Sequence, residues 1–124
     1  MSRLDSFIRR MQAQRDCLDW AARAIAGRPG CVLELGLGNG RTYDHLRERL
    51  PDRAIYVFDR RIAAHAGCIP PDDRLYLGAV SDTLPRAAAE LGPSAVLIHS
   101  DLGIADDAAN AVLAAEVGPL LAPH

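Results

Sequence analysis

Apolar and polar residues alternate with different periods along the chain, and the changes of period divide it into helices and strands. Over residues 3–26 the apolar positions recur at steps of three and four, which predicts one amphipathic helix. Four later runs are short and almost wholly apolar, as expected of strands in a parallel sheet that is covered on both faces. The strands are predicted at residues 31–35, 54–58, 75–77 and 95–99, and further helices at 41–50, 83–91 and 106–117.

Turn-forming residues mark the ends of these elements. Ser2 or Asp5 is a candidate cap for the first helix, and Gly27 with Pro29 ends it. Residues 60–74 are broken by glycine and prolines and are predicted to be irregular. Strands that alternate with helices in this way indicate an α/β fold, with a parallel sheet and helices on its faces.

The composition is that of an ordinary soluble globular protein. The chain has 124 residues, of which 49% are hydrophobic and 24% charged, and this favours one domain with a modest core. We therefore predict a single domain over 1–124, with an N-terminal helix in 1–28 and a β-α-β core in 29–124. The formal net charge of −2 gives no electrostatic argument for nucleic acid or an anionic membrane as a partner.

The three cysteines, Cys17, Cys31 and Cys68, are odd in number and widely spaced. Neither a disulfide framework nor a zinc site is indicated, and no metal is predicted. The N-terminus carries arginines instead of the apolar core of a signal peptide, and no apolar run is long enough to span a bilayer. These features predict a cytoplasmic protein with reduced thiols.

Glycine is concentrated in one stretch, Glu34-Leu35-Gly36-Leu37-Gly38-Asn39-Gly40, between the first strand and the second helix. Glycine allows positive φ and carries no Cβ, so the chain can turn sharply and place bare amides against a ligand. The helix that follows points N–H groups and the positive end of its dipole at the same place. A tight turn without a ligand is the alternative, but such a turn rarely needs three glycines so close together.

The spacing of the glycines separates two classes of cofactor. The dinucleotide fingerprint G-x-G-x-x-G has its third glycine where this chain has Arg41. The pattern here is Glu34-x-Gly36-x-Gly38-x-Gly40, which resembles motif I of the class I S-adenosylmethionine-dependent methyltransferases. The phrase LELGLGNGRTYDHLRE after a long N-terminal helix resembles a small bacterial-type group of that family. The resemblance implies a three-layer Rossmann-like sandwich, a sheet ordered 3-2-1-4 in the residues present, and S-adenosyl-L-methionine as cofactor.

The resemblance also implies which residues contact the cofactor. Asp59 follows Gly40 by 19 residues, at a strand end where a carboxylate accepts hydrogen bonds from ribose hydroxyls; the alternative is an aspartate that caps a loop. The loop of Gly78, Ala79 and Val80 would lie beside the adenine. Ala79 stands where the family often has an acidic side chain that contacts the adenine, so backbone groups would make that contact here. The cofactor-binding residues implied are Glu34, Gly36, Leu37, Gly38, Gly40, Thr42, Asp59, Arg60, Gly78, Ala79, Val80 and Asp101.

Asp101 occupies the position of the family's motif IV, just after the fourth predicted strand, and is the one candidate catalytic residue. It would orient a substrate, act as a base, or merely cap the helix at 106–117. Asp82 is a candidate cap for the helix at 83–91, and His99 is interpreted as a strand-end histidine. The predicted function is methyl transfer to an unidentified small-molecule acceptor. A non-catalytic cofactor-binding or structural module is the alternative, and a nicotinamide-dependent oxidoreductase is disfavoured by the glycine spacing.

The family's sheet usually has seven strands, in the order 3-2-1-4-5-7-6, and four of them are predicted here. Residues 118–124 resemble the linker that precedes the family's fifth strand. The strand at 95–99 would then be an exposed apolar edge, which is a hazard for aggregation. We therefore expect this edge to be covered by a further C-terminal segment or by a second copy in a homodimer.

Overall fold

The computed structural model describes residues 1–100 and 111–113. The helices and strands are α1 (Arg3–Ala24), β1 (Cys31–Leu35), α2 (Arg41–Arg49), β2 (Ile55–Asp59), β3 (Leu75–Leu77), α3 (Val80–Leu91), β4 (Ala95–Ser100) and β5 (Ala111–Leu113). The strands form one sheet in the order β3-β2-β1-β4-β5, and the first four of these run parallel, which confirms the predicted order 3-2-1-4. Two 3-10 turns, Ala66–Cys68 and Asp72–Arg74, interrupt the irregular segment before β3.

Helices cover both faces of the sheet, so the molecule has the three layers that the alternation of elements predicts. On one face, Leu18 of α1 and Leu46 of α2 pack in a cluster with Val57 of β2. On the other face, Ala87 of α3 belongs to a cluster that contains Phe58. Because successive side chains of a strand point to opposite faces, the almost wholly apolar strands supply both clusters.

A capping box fixes the start of α1. The Ser2 hydroxyl accepts a hydrogen bond from the Asp5 N–H at 3.0 Å, and the Asp5 carboxylate accepts one from the Ser2 N–H at 3.1 Å. These two bonds satisfy two N–H groups that the first turn of a helix leaves without partners. The two candidate caps predicted from the sequence therefore act together.

An aspartate joins α1 to α2. The Asp19 carboxylate accepts hydrogen bonds from His45 Nε2 at 2.7 Å and from Arg49 Nε at 3.1 Å, both on α2. The bond from His45 is the main reason that the pKa of Asp19 is held below its ordinary value. The contact adds to the apolar packing that holds α2 against α1.

The start of α3 differs from the prediction. The helix begins at Val80, not at residue 83, with Ala79 as a cap that offers no side-chain bond. The N–H groups of Asp82 and Thr83 both donate to the Ala79 carbonyl at 2.9 Å, and the Thr83 hydroxyl donates to the same oxygen at 3.1 Å. Asp82 therefore lies inside the first turn, where its negative charge interacts favourably with the positive end of the helix dipole. Its predicted capping function is wrong.

The helix predicted at 106–117 is wrong over residues 111–113, because these residues form β5. This strand runs antiparallel to β4, and Val112 lies opposite Ile98. Pairing satisfies backbone groups on the outer side of β4 that would otherwise need water, and this outweighs a weak local preference for helix. The expected exposed edge at 95–99 is therefore also wrong. The rest of the predicted helix and the segment 118–124 lie outside the described residues.

The irregular segment after β2 packs on the start of α2. Arg47 of α2 donates a hydrogen bond to the Gly67 carbonyl. The segment also closes over Gly40, where an added Cβ would lie 2.6 Å from Cys68 Cβ and 3.1 Å from Ala64 Cβ. Gly40 has φ +88°, so its lack of a side chain serves both the backbone conformation and this close approach.

Arg53 fastens α1 to the amino end of the sheet. Its guanidinium donates to the carbonyl oxygens of Ile25 at 2.7 Å, Arg28 at 2.5 Å and Gly30 at 2.8 Å. These carbonyls belong to the turn between α1 and β1, where the Ile25 carbonyl also accepts from the Arg28 N–H at 2.9 Å. One side chain from the loop before β2 thus holds the connection on which the packing of α1 depends.

Replacing Arg53 by methionine is expected to lower the free energy of unfolding by about 2–3 kcal/mol, because three carbonyls lose a charged donor. Urea unfolding measures this. Arg28→Met is the matched control, since the Arg28 side chain is exposed and its loss should change stability by no more than about 0.5 kcal/mol. Equal effects of the two substitutions would contradict the function assigned to Arg53.

Replacing Gly40 by alanine is expected to destabilise the chain more than replacing Gly27. The two glycines have similar φ, +88° and +81°, but no described residue lies within 4 Å of a Cβ added at Gly27. The conformational strain is common to both variants, so the difference between their unfolding free energies isolates the close contact with Cys68 and Ala64. We expect this contact to add about 1–3 kcal/mol. Equal unfolding free energies of the two variants, measured in urea, would show that the segment above Gly40 moves aside without cost.

Candidate functional site

The loop after β1 has the backbone that its glycines predict. Gly36, Gly38 and Gly40 all have positive φ, at 96°, 54° and 88°. The Gly36 N–H donates to the carbonyl of Phe58 at 2.6 Å, and the Gly40 N–H donates to the carbonyl of Leu37 at 2.8 Å. The second bond closes a tight turn, and Gly40 then becomes the cap of α2. The loop therefore lies at the carboxyl edge of the sheet, with the N-terminus of α2 beside it.

The Asp59 carboxylate holds this loop in place. Its Oδ2 accepts hydrogen bonds from the N–H groups of Leu37 at 2.9 Å and Gly38 at 3.3 Å, and its Oδ1 accepts one from the Arg60 N–H at 2.7 Å. The loop-capping alternative raised by the sequence is thus a feature of the structure. A carboxylate has about four acceptor positions, so capacity for a hydroxyl donor is left. The contact with a ribose stays a prediction.

Glu34 and His99 form a buried pair below the loop. Their side chains are 0% and 3% exposed, and His99 Nδ1 lies 2.6 Å from Glu34 Oε1. The two residues are register partners on the central strands β1 and β4. One proton is shared between these atoms, donated either by the ring to an ionised carboxylate or by the acid to a neutral ring. The structure places Glu34 in this bond, and its predicted contact with the cofactor is not tested.

The start of α3 borders the same edge of the sheet. The Gly78 N–H donates to the backbone carbonyl of Asp59 at 2.9 Å, which brings the end of β3 next to the end of β2. Ala79 then caps α3 with its backbone alone. The first N–H groups of a helix have no partner inside it. The N–H groups of Val80 and Ser81 are therefore hydrogen-bond donors at the carboxyl edge of the sheet. The predicted adenine contact of Gly78, Ala79 and Val80 stays a prediction.

Thr42, Arg60 and Asp101 complete the residues predicted from the sequence. Thr42 is 6% exposed in the first turn of α2, and its hydroxyl has no hydrogen-bond partner within the described part of the chain. Arg60 has an exposed side chain directly after Asp59. Asp101 lies outside the described residues, and its predicted catalytic function is not tested. The structure therefore brings the glycine loop, Asp59 and the start of α3 to one edge.

Sequence reasoning missed the partner of Glu34. The signal was available, because a glutamate within an apolar strand needs a partner and His99 is the ionisable residue of the adjacent predicted strand. It also missed the contact between Gly40 and Cys68. That contact depends on the path of the irregular segment, for which the sequence carries no periodic signal.

No three His, Cys, Asp or Glu side chains within residues 1–100 and 111–113 gather closely enough to hold a metal ion. No helix in that part of the chain combines the length and the hydrophobicity needed to cross a membrane.

Comparison with known proteins identifies the family of the chain. A family model described as S-adenosyl-L-methionine methyltransferase matches residues 1–124. The chain is also similar to the crystal structure of an S-adenosyl-L-methionine methyl transferase from Silicibacter pomeroyi DSS-3, with 50% sequence identity and a TM-score of 0.78. The match covers 86% of this chain and 65% of that chain, a little under two thirds of its length. No curated protein matches the chain. The predicted family is thereby confirmed, and the chain belongs to the S-adenosyl-L-methionine methyltransferases, whose cofactor is S-adenosyl-L-methionine.

Proposed function

We propose that this chain binds S-adenosyl-L-methionine across the carboxyl edge of its sheet and that the protein transfers the methyl group to a small-molecule acceptor. The observation that carries the proposal is the glycine loop after β1, with three positive φ angles and two amides held by the Asp59 carboxylate. Such a loop presents bare backbone to a ligand at a fixed place, next to the positive end of α2.

Each part of the cofactor has a matching part of this edge in the proposal. The amino-acid part lies over the glycine loop and the start of α2, which the residues Gly36, Leu37, Gly38, Gly40 and Thr42 form. The ribose hydroxyls donate to Asp59, with Arg60 beside them. The adenine lies at Gly78, Ala79 and Val80, where backbone N–H groups at the start of α3 donate to the ring. Glu34 supports the loop from below.

Placement is the main contribution of the protein to catalysis in this proposal. When bound, S-adenosyl-L-methionine supplies an electrophilic methyl group on a sulfonium. The chain's residues fix its position and leave the methyl group open to an acceptor, and alignment of two reactants in this way removes much of the entropic barrier. Asp101, just after β4, is proposed to orient the acceptor or to take its proton.

Assembly and location are further parts of the proposal. We propose one domain over residues 1–124 and a cytoplasmic location. We also propose a homodimer, now about β5 and not about β4, because β5 is the outermost strand of the described sheet. A short apolar strand at the edge of the described sheet favours association with a second copy. Sedimentation velocity should give a dimer at micromolar concentration, and a monomer at every concentration would refute the assembly.

Titration calorimetry on one sample tests the cofactor class. We expect heats of binding with S-adenosyl-L-methionine and with S-adenosyl-L-homocysteine, and none with NAD, because the third glycine is not where a pyrophosphate needs it. Binding of NAD alone would overturn the proposal. Binding without methyl transfer to any of a panel of small acceptors would favour the cofactor-binding module over the enzyme.

Replacing Asp59 by asparagine is expected to weaken S-adenosyl-L-homocysteine binding by about 1.5–3 kcal/mol, because a charged acceptor is lost both to the ribose and to the loop amides. Calorimetry gives the affinity, and urea unfolding checks that the variant is folded. Asp52→Asn, an exposed aspartate before β2, is the matched control and should bind like the parent chain. Unchanged affinity in folded Asp59→Asn would remove Asp59 from the site.

A further inference from the structure

Two ionisable side chains are enclosed at the centre of the molecule, at the end of the sheet where the glycine loop begins. Glu34 and His99 lie on the same face as Val32 and Leu97, the apolar residues two positions earlier on their strands. Val32 and Leu97 belong to the cluster that packs under α1 and α2. An apolar pair would fill such a place at a lower cost of desolvation. Stability alone is therefore a poor reason for this pair.

The position of the pair suggests another reason. Glu34 is two residues before Gly36, where the chain leaves β1, and His99 is next to Ser100, where β4 ends. The hydrogen bond of 2.6 Å between Glu34 Oε1 and His99 Nδ1 joins the carboxyl ends of two adjacent strands. β1 leads directly into the glycine loop, and β4 leads to Asp101. Backbone pairing fixes the register of the strands, and the side-chain bond adds a directional link at their ends.

We propose that the Glu34–His99 pair is a positioning device for cofactor binding, which acts through the loop and through the end of β4 without touching the cofactor. The pair fixes the distance between the glycine loop and the carboxyl end of β4, so that the loop is held in the position from which it meets the cofactor. Glu34 is then a positioning residue and not the direct cofactor contact that the sequence pattern implies. This inference rests on the proposed binding of S-adenosyl-L-methionine.

The first test is the double variant Glu34→Met/His99→Leu, which keeps volume and removes both ionisable groups. It is expected to fold, because methionine and leucine suit the apolar cluster beside the pair, and urea unfolding checks this. Its affinity for S-adenosyl-L-homocysteine, measured by calorimetry, should nevertheless fall about tenfold or more. A folded double variant with the parent's affinity would overturn the proposal.

A second comparison decides the matter if the double variant does not fold. In His99→Asn the side-chain amide nitrogen takes the place of Nδ1 and can still donate to Glu34, whereas in His99→Gln it takes the place of Nε2. Both variants stay polar and of similar size. We expect His99→Asn to bind S-adenosyl-L-homocysteine within about threefold of the parent and His99→Gln about tenfold more weakly. Equal affinities of the two variants would overturn the proposal.

The parent chain in the same titrations separates the two levels of inference. If the parent binds neither S-adenosyl-L-methionine nor S-adenosyl-L-homocysteine, the proposed function fails, and the positioning device fails with it. If the parent binds and the double variant binds equally well, the proposed function stands and only the assignment of the Glu34–His99 pair is wrong.

Discussion

The site depends on a single acceptor that the glycine loop cannot provide for itself. Three left-handed residues leave the amides of Leu37 and Gly38 without partners inside the loop, and Asp59 accepts from both. Asp59 is the last residue of β2, which is paired in register with β1. The path of the loop is therefore set by the sheet before any ligand arrives. A ligand that meets such a loop loses less free energy to ordering the chain.

Local patterns in the sequence were enough to predict most of the fold. The predicted bounds of β1 and β3 agree with the structure, and α1 and α2 end within two residues of their predicted ends, because apolar periodicity and glycine or proline mark these boundaries. The start of α3 could not be predicted in this way, because its cap is an alanine and its first turn is closed by backbone hydrogen bonds to Ala79. β5 could not be predicted either, because a strand of three residues is stable only through its pairing with β4.

The candidate site divides in the same way. The glycine spacing and the distance along the chain to Asp59 are local patterns, and both led to residues that the structure brings together. The bond between Glu34 and His99 and the contact between Gly40 and Cys68 join residues that are far apart in sequence. Strand register determines the first and the path of an irregular segment determines the second. Neither is encoded in a motif, although a glutamate in an apolar strand signals that a partner exists.

The bonds of Arg53 have a consequence for how this fold can change. The carbonyls that it holds precede β1, at the amino edge of the sheet, whereas the glycine loop opens at the carboxyl edge. Resistance to unfolding and recognition of a ligand thus draw on opposite ends of the same strands. Substitutions that stabilise the amino edge lie away from the proposed ligand, so we expect them to leave its affinity unchanged. The usual trade-off between stability and activity is then confined to the carboxyl edge. Loops there can diversify toward new acceptors while the opposite end keeps the chain folded.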